Sequence, residues 1–393
     1  MSLCSNMASV KALKRSTVAR LIIAITFFSC GFGCNIVQCL LMLFIKPFSP
    51  SLYRRLIYYP LYAFYSQMVV LAEWYGGGRL HLYMDSEDLK YAGKEHGVVL
   101  MNHYYEIDWL VLWMLLDKLK MLGTSKAFAK KPIRYLPVLG WAWWMAEFVF
   151  LNRDFEKDKA IIAKQLKIIY SYPEPVWLLL TAEGTRFTPA KHEVALKFAK
   201  EKGLTPLKYH LIPRTRGFTT SLPTLRSICP AIYDMNVAFK ADSDVPVNLN
   251  SVLTGETLNP YILVRRFPTE KIPTDEKEAA AWLHNLYVEK DRIIESFHES
   301  GSFFKTSGIK EMPCTVFEPR PISLLVFSII GISSIGSLIY YLIVSLLRAN
   351  LGGVIFVVAL VVLFLVLLRK ADNVTQVSKG SDYGVSDSKA KTN

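Results

Sequence analysis

The chain has no C-x-x-C pair and no set of cysteines and histidines at metal-ligand spacing. Its six cysteines stand at 4, 30, 34, 39, 229 and 314, three of them inside one apolar run. That pattern excludes a disulfide framework and a zinc site, and it suits reducing, cytosolic surroundings. No G-x-S-x-G elbow occurs, so the nucleophile of an α/β-hydrolase is missing. No internal repeat occurs either, which excludes solenoids and propellers. Acidic residues are scarce: 33 Asp and Glu face 46 Lys and Arg, for a net charge of +13. Such a balance suits nucleic acid, anionic lipid or phosphorylated substrates. No zinc-finger spacing, RNA-recognition signature or long Lys/Arg run supports nucleic acid. Lipid headgroups and acidic substrates remain.

Hydrophobic residues are abundant, at 52% of the chain, and they are gathered rather than spread. Leu21–Ile45, Ile322–Leu347 and Leu351–Leu368 are free of charge. Each is long enough to be read as a membrane helix. The first is longer than a signal-peptide core and is read as an uncleaved anchor. Arg54–Trp74 is rich in aromatics and is either a second helix on or in the membrane or a core helix. From Gly76 to about Gly301 short apolar runs alternate with helical patterns. The expected strands are Arg79–Met84, Gly97–Met101, Leu122–Ala129, Glu147–Leu151, Val176–Thr181, His210–Pro213, Ile228–Phe239 and Ile262–Phe267. The expected helices are Asp108–Leu119, Phe155–Ser171, Pro189–Lys202, Phe218–Arg226 and Asp275–Ser300. Strands alternating with helices imply an α/β fold with a mostly parallel sheet flanked by helices.

The chain thus divides into a basic segment at 1–20, membrane-embedded or membrane-associated helices at 21–75, an α/β domain at 76–301, a linker at 302–321, a transmembrane hairpin at 322–368, and a polar tail at 369–393 with a disordered composition. The last five residues, Lys389 to Asn393, fit a K-x-K-x-x pattern of endoplasmic-reticulum retrieval. With a hairpin before it, the tail shares one side with the α/β domain, and that side is then the cytosol.

Four stretches carry chemistry. The first is Asn102-His103-Tyr104-Tyr105-Glu106-Ile107-Asp108, between an apolar strand and a helix. Ligands of open α/β sheets bind at strand C-terminal ends. On a straight helix residues five apart point roughly 140° away from each other, so His103 and Asp108 meet only if the chain turns between them. A histidine held by a carboxylate is a general base of fixed orientation. With no elbow serine in the chain, the hydroxyl it deprotonates is expected on a substrate. The second stretch is Glu183-Gly184-Thr185-Arg186, again between a strand and a capped helix, where Gly184 permits a tight turn and Arg186 offers a fork to phosphate. The third is Phe148–Asp154, a strand ending in Arg153, preceded by Lys130–Trp144 with Lys131, Pro137 and Gly140. The fourth is His210–Phe218, with Ile212-Pro213.

These blocks, in this order, resemble the glycerolipid acyltransferase family: N-H-x-x-x-x-D, then K-x-x-L-x-x-x-P-x-x-G, F-x-x-R, E-G-T-R and a V/I-P block. Glu183–His192 and the stretch around Pro213, with the C-terminal apolar hairpin, are similar to the gamma/delta branch of animal 1-acylglycerol-3-phosphate acyltransferases. Thr181-Ala182 and Pro132-Ile133 depart mildly from the pattern. The resemblance implies acyl transfer from acyl-CoA, as co-substrate and without a cofactor, to lysophosphatidic acid in the endoplasmic-reticulum membrane. It implies His103 as base and Asp108 as its orienter. Arg153 and Arg186, with Lys131, would hold the acceptor's phosphate. Glu183 would bind a glycerol hydroxyl or hold Arg186, and Gly184 and Thr185 would shape the turn. An ion pair stapling the loop is the bland alternative for Glu183 and Arg186. Other acceptors, such as lysophosphatidylinositol or a lysocardiolipin, a thioesterase using water, and a non-catalytic lipid-binding protein are the competing readings. Oligomeric state is not legible in the sequence.

Overall fold

A computed structural model describes residues 9–152, 155–241 and 244–375. Its centre is an eight-stranded sheet in the order β4-β3-β5-β2-β6-β7-β1-β8. The strands are β1 Leu80–Met84, β2 Gly97–Met101, β3 Lys126–Lys130, β4 Val149–Leu151, β5 Trp177–Leu180, β6 Ala231–Ala238, β7 Tyr261–Pro268 and β8 Cys314–Phe317. Pairings β1–β7, β2–β5, β2–β6, β3–β4 and β3–β5 are parallel, and β6–β7 and β1–β8 are antiparallel. Every residue of β2 and of β6 is buried, as expected of strands covered on both faces.

The main helices are α1 Thr17–Phe44, α2 Pro50–Leu56, α3 Tyr58–Val70, α4 Asp108–Lys118, α5 Leu139–Met145, α6 Phe155–Ile169, α7 Pro189–Lys202, α8 Thr215–Arg226, α9 Glu276–Ser300, α10 Pro321–Leu347 and α11 Leu351–Thr375. Helix α7 has its expected bounds: Thr188 accepts from Lys191 N, Pro189 takes the first position, and Gly203 closes the helix at φ +64°. Helix α9 is capped by Asp275, which accepts from the N–H groups of Lys277 and Glu278.

Three expectations need correction. His210–Pro213 is not a strand. Its neighbours' N–H groups find side-chain acceptors instead of a ladder: Asp291 accepts from Lys208 N and Tyr209 N, and Glu183 accepts from Leu211 N. Leu122–Ala129 opens as a short 3₁₀ turn at Leu122–Thr124 before β3 begins. The linker contains β8, an edge strand on β1 whose four residues lie between prolines; so short a run carries no readable period.

Arg54–Trp74 is a packed core element. Helix α3 runs on into a π-helical turn, Leu71–Tyr75, and buries Leu61, Phe64, Tyr65 and Val69. The Tyr65 ring stacks on Trp113 of α4 at 4.2 Å.

Helices α1 and α10 are long and apolar enough to cross a membrane, and α11 holds a shorter apolar stretch, Leu351–Leu367. Helix α10 leaves much of its apolar surface bare, including Leu325, Ile329 and Ile332. It folds back on α11 as the expected hairpin, and both pack on α1, where Phe28 and Phe32 stack on Phe364. The hairpin is fastened to the α/β domain by Arg320, which donates to the Asp117 carboxylate at 3.0 Å. Both ends of α1 are tied to the same domain: Arg15 pairs with Glu256 at 2.6 Å, and Lys46 with Glu147 at 2.9 Å. Helix α1 therefore runs along the domain rather than away from it.

Candidate active site

The sheet register builds the site. Leu100 of β2 lies opposite Leu180 of β5. Each strand ends near there, and three residues further on His103 and Glu183 emerge side by side. Glu183 is buried, and its two oxygens are both engaged by backbone: Oε1 accepts from His103 N at 3.0 Å, and Oε2 from Leu211 N at 3.1 Å. On the other face of the same residue, Phe187 N donates to His103 O at 2.8 Å. The loop after β5 thus grips the His103 main chain from both sides. Asn102, the residue before His103, exchanges two hydrogen bonds between its side-chain amide and the Val237 backbone, at 2.8 and 3.0 Å.

The chain turns at Tyr104–Ile107, and Asp108 opens α4. That turn brings the His103 Nδ1 to 3.2 Å from Asp108 Oδ2, which also accepts from Tyr105 N at 3.0 Å. The Asp108 carboxyl is fully buried, and its other oxygen has no hydrogen-bond partner among the described residues. Burial pushes its pKa up to about 6, while the hydrogen bond and charge of His103 pull in the opposite direction. With Nδ1 turned to the aspartate, Nε2 is the ring nitrogen left for chemistry, and the imidazole is 29% exposed. A buried orienter behind a half-open imidazole is the arrangement that general-base chemistry requires.

Arg186 lies with its guanidinium 3.9 Å from Glu106. Lys191, in the first turn of α7, donates to Thr185 Oγ1 at 2.7 Å and to Arg186 O at 3.2 Å. Its pKa is lowered by burial first, then by the neighbouring charges of Arg186 and Arg214. Gly184 has φ +70°, and a Cβ there would meet Arg214 Cδ at 3.0 Å and Nε at 3.1 Å. Gly184→Ala is expected to cost about 1–2 kcal/mol for the left-handed backbone and to displace Arg214. A lower melting temperature and a raised acceptor KM would register this; wild-type values of both would refute it.

Of the residues singled out in the sequence, His103, Asp108, Glu183, Gly184, Thr185 and Arg186 converge at the ends of β2 and β5. Lys131 sits further along the sheet edge, at the end of β3, where its Nζ donates to Asn152 at 2.9 Å. Arg153 lies outside the described residues, as does the tail with Lys389 and Lys391. Among the described residues no group of His, Cys, Asp and Glu is arranged to hold a metal. Sequence reasoning passed over Lys191 and Arg214. Both lay inside quoted stretches; Lys191 follows the loop by five residues across a turn, whereas Arg214 comes to it from a distant part of the chain. Of the tryptophans of α5, Trp143 stacks on Phe148 at 4.8 Å, whereas Trp141 and Trp144 are exposed.

A buried-aspartate histidine at the end of one central strand, gripped by a basic loop at the end of the next, agrees with what the family comparison finds. Residues 83–219 match the acyltransferase family model, and residues 251–330 match that of the acyltransferase C-terminus. The chain is 38% identical to human 1-acyl-sn-glycerol-3-phosphate acyltransferase gamma, across 96% of its own length and 98% of the relative's. It is 35% identical to the human delta enzyme, over 97% and 98%, and 37% identical to mouse gamma, over 96% and 98%. The chain belongs to the 1-acyl-sn-glycerol-3-phosphate acyltransferase family.

Proposed function

We propose that this chain transfers a fatty acyl group from acyl-CoA to the sn-2 hydroxyl of lysophosphatidic acid, giving phosphatidic acid. The observation that carries the reading is the pairing of His103 and Asp108 beside the Glu183–Arg186 loop, in a chain whose near full-length relatives bear that enzyme name. In this mechanism His103 Nε2 takes the proton of the acceptor hydroxyl. Asp108 holds the ring through Nδ1 and balances the imidazolium that forms. The acceptor oxygen bonds to the thioester carbonyl carbon, the C–S bond breaks, and the imidazolium returns the proton to the departing thiolate. No covalent enzyme intermediate and no cofactor is needed. Glu183 serves by placing the His103 backbone, and Arg186 faces the acceptor's phosphate. Arg153 and Lys131, the latter just past the end of β3, are assigned to the same anionic substrate.

The membrane setting follows from the same reading. The α10–α11 hairpin crosses the bilayer twice, and α1, tied to the domain at both ends, keeps the site against the membrane surface where its lipid substrates lie. The membrane is that of the endoplasmic reticulum, with the site on the cytosolic face, where acyl-CoA is made available.

The test is a lipid-product assay. Membranes carrying the full chain receive labelled oleoyl-CoA and one acceptor at a time: lysophosphatidic acid, lysophosphatidylinositol, a lysocardiolipin, or none. Labelled phosphatidic acid as the main product supports the proposal. Faster labelling of another acceptor moves the reading to that headgroup. Release of free fatty acid without any acceptor would make the enzyme a thioesterase.

A further inference from the structure

We propose that helix α9 positions the catalytic histidine from outside the site: its adjacent residues Lys290 and Asp291 hold the two backbone segments between which His103 is set. Both are positioning residues, acting through other groups. The proposal rests on the acyl-transfer reading above and extends it to the C-terminal part of the chain.

Asp291 works on one side, through backbone groups. Its Oδ2 accepts from Lys208 N at 2.7 Å and its Oδ1 from Tyr209 N at 2.8 Å, and His210 Nδ1 stands 2.9 Å from the same Oδ1. The His210 ring is buried, edge-on to Tyr287, which lies one turn before Asp291 in α9. One carboxylate thus fixes three successive residues of a segment that has no strand ladder to fix it. The next residue is Leu211, whose N–H donates to Glu183 Oε2, while Glu183 Oε1 accepts from His103 N. A shift of this segment therefore reaches His103 through a single carboxylate.

Lys290 works on the other side. It is fully buried, and its Nζ donates to Leu100 O of β2 at 3.3 Å, to Met235 O of β6 at 2.9 Å and to Asp234 Oδ1 at 2.6 Å. Leu100 comes shortly before His103, and Met235 shortly before Val237, the backbone partner of the Asn102 amide. The ammonium thus cross-links two strands where the turn to Asp108 leaves the sheet. Adjacent residues of a helix point about 100° apart, which lets one turn of α9 reach both segments. The Lys290–Asp234 pair is fully buried, and such a pair adds little net stability over apolar side chains of similar volume. What charge-assisted, directional hydrogen bonds supply is geometry. Catalysis by a placed base depends on it, since a displacement of about 1 Å can cost on the order of a hundredfold. Helix α9 lies wholly within residues 251–330, which match the acyltransferase C-terminus, whereas His103 and Glu183 lie within 83–219. Through Lys290 and Asp291 the C-terminal part has a task in the reaction itself.

The experiment uses the full chain in membranes, with Asp291→Asn, Lys290→Met and a control, Ile294→Ala, which opens a cavity in a separate apolar cluster on the same helix. In Lys290→Met the Asp234 carboxylate keeps Arg265 at 2.7 Å. The two positioning variants act on different segments, so one that fails to fold leaves the other to decide. Melting temperature, kcat per folded enzyme, and KM for oleoyl-CoA and for lysophosphatidic acid are measured on each. Asp291→Asn and Lys290→Met should each lower kcat by about tenfold to a hundredfold with both KM values nearly unchanged, as when only the placement of the base is lost. Ile294→Ala should lower the melting temperature and leave kcat per folded enzyme intact. Asp291→Asn is then combined with Glu183→Gln. If Asp291 acts through Glu183, the double variant loses little more kcat than the worse single one; losses that multiply would overturn the proposal. A loss of kcat that follows the melting temperature across all three variants would reduce α9 to a structural support and overturn it as well. If wild type shows no His103-dependent acyl transfer, the parent reading falls; if wild type transfers acyl groups and both positioning variants keep its kcat, only the role of α9 falls.

Discussion

His103→Ala is expected to lower the rate of acyl transfer by about 10²–10⁴-fold, the usual worth of a positioned general base, without unfolding the chain. The two hydrogen bonds that fasten this residue to the loop after β5 are made by its own N–H and C=O, which alanine retains. The imidazole itself is partly open to solvent and buries little. Its one strong partner is Asp108, whose buried carboxyl then loses the charge and hydrogen bond that favour its ionised form. That carboxyl would protonate more readily, which spares the fold a buried unpaired charge. Initial rates with lysophosphatidic acid and a melting temperature on the same preparation settle the matter. A variant that matches wild type on every acceptor would reduce the His103–Asp108 pair to a turn-forming contact, and the mechanism would have to be abandoned.

Asp108→Asn should separate stability from activity. In the folded chain this carboxyl titrates near pH 6, above its ordinary value, because it is buried. Between the ordinary value and about 6 the folded state binds more protons than the unfolded one, so stability falls as pH rises through that window. Above it the cost of the buried charge is fully present. Two pKa units correspond to about 3 kcal/mol, so at pH 7.5 the asparagine variant should be at least as stable as wild type, with the advantage fading by pH 4. Activity should drop by roughly 10³–10⁴-fold, as when an aspartate that orients a catalytic histidine becomes an amide and the ring takes the wrong tautomer. The wild-type enzyme should correspondingly lose kcat/KM as pH falls through about 6, with an apparent value that belongs to the His–Asp pair as a unit. Thermal melts at both pH values, with a pH–rate profile, test all of this. A variant that melts well below wild type at pH 7.5 would show Asp108 to be a stabilising ion-pair partner instead.

The strand-to-helix junction at Asn102–Asp108 was legible because periodicity changes there: four apolar residues in a row, then polar and aromatic ones, then a helical stripe. The junction after Leu180 was legible for the same reason, with Thr188, Pro189 and Gly203 punctuating α7. Local chemistry of that kind is written along the chain. By itself the sequence also determined the α/β class, the apolar helices and the hairpin, since these depend on short-range period and length.

Only the tertiary structure shows how Glu183 is held. The sequence left it as a ligand for a hydroxyl or a partner for Arg186, and each of its oxygens accepts from a backbone N–H, those of His103 and Leu211. The same carboxylate, together with Asp291, explains why the His210–Pro213 run is not a strand. The nearness of Lys191 and Arg214 to the loop, the burial of Asp108 behind His103, and the fastening of α1 at both ends were likewise settled in three dimensions. Glu183 and the ends of α1 meet groups far away along the chain, whereas Lys191 and Asp108 meet groups five or six residues off across a turn. No local period encodes such meetings, because they arise only when the packed fold sets the partners side by side.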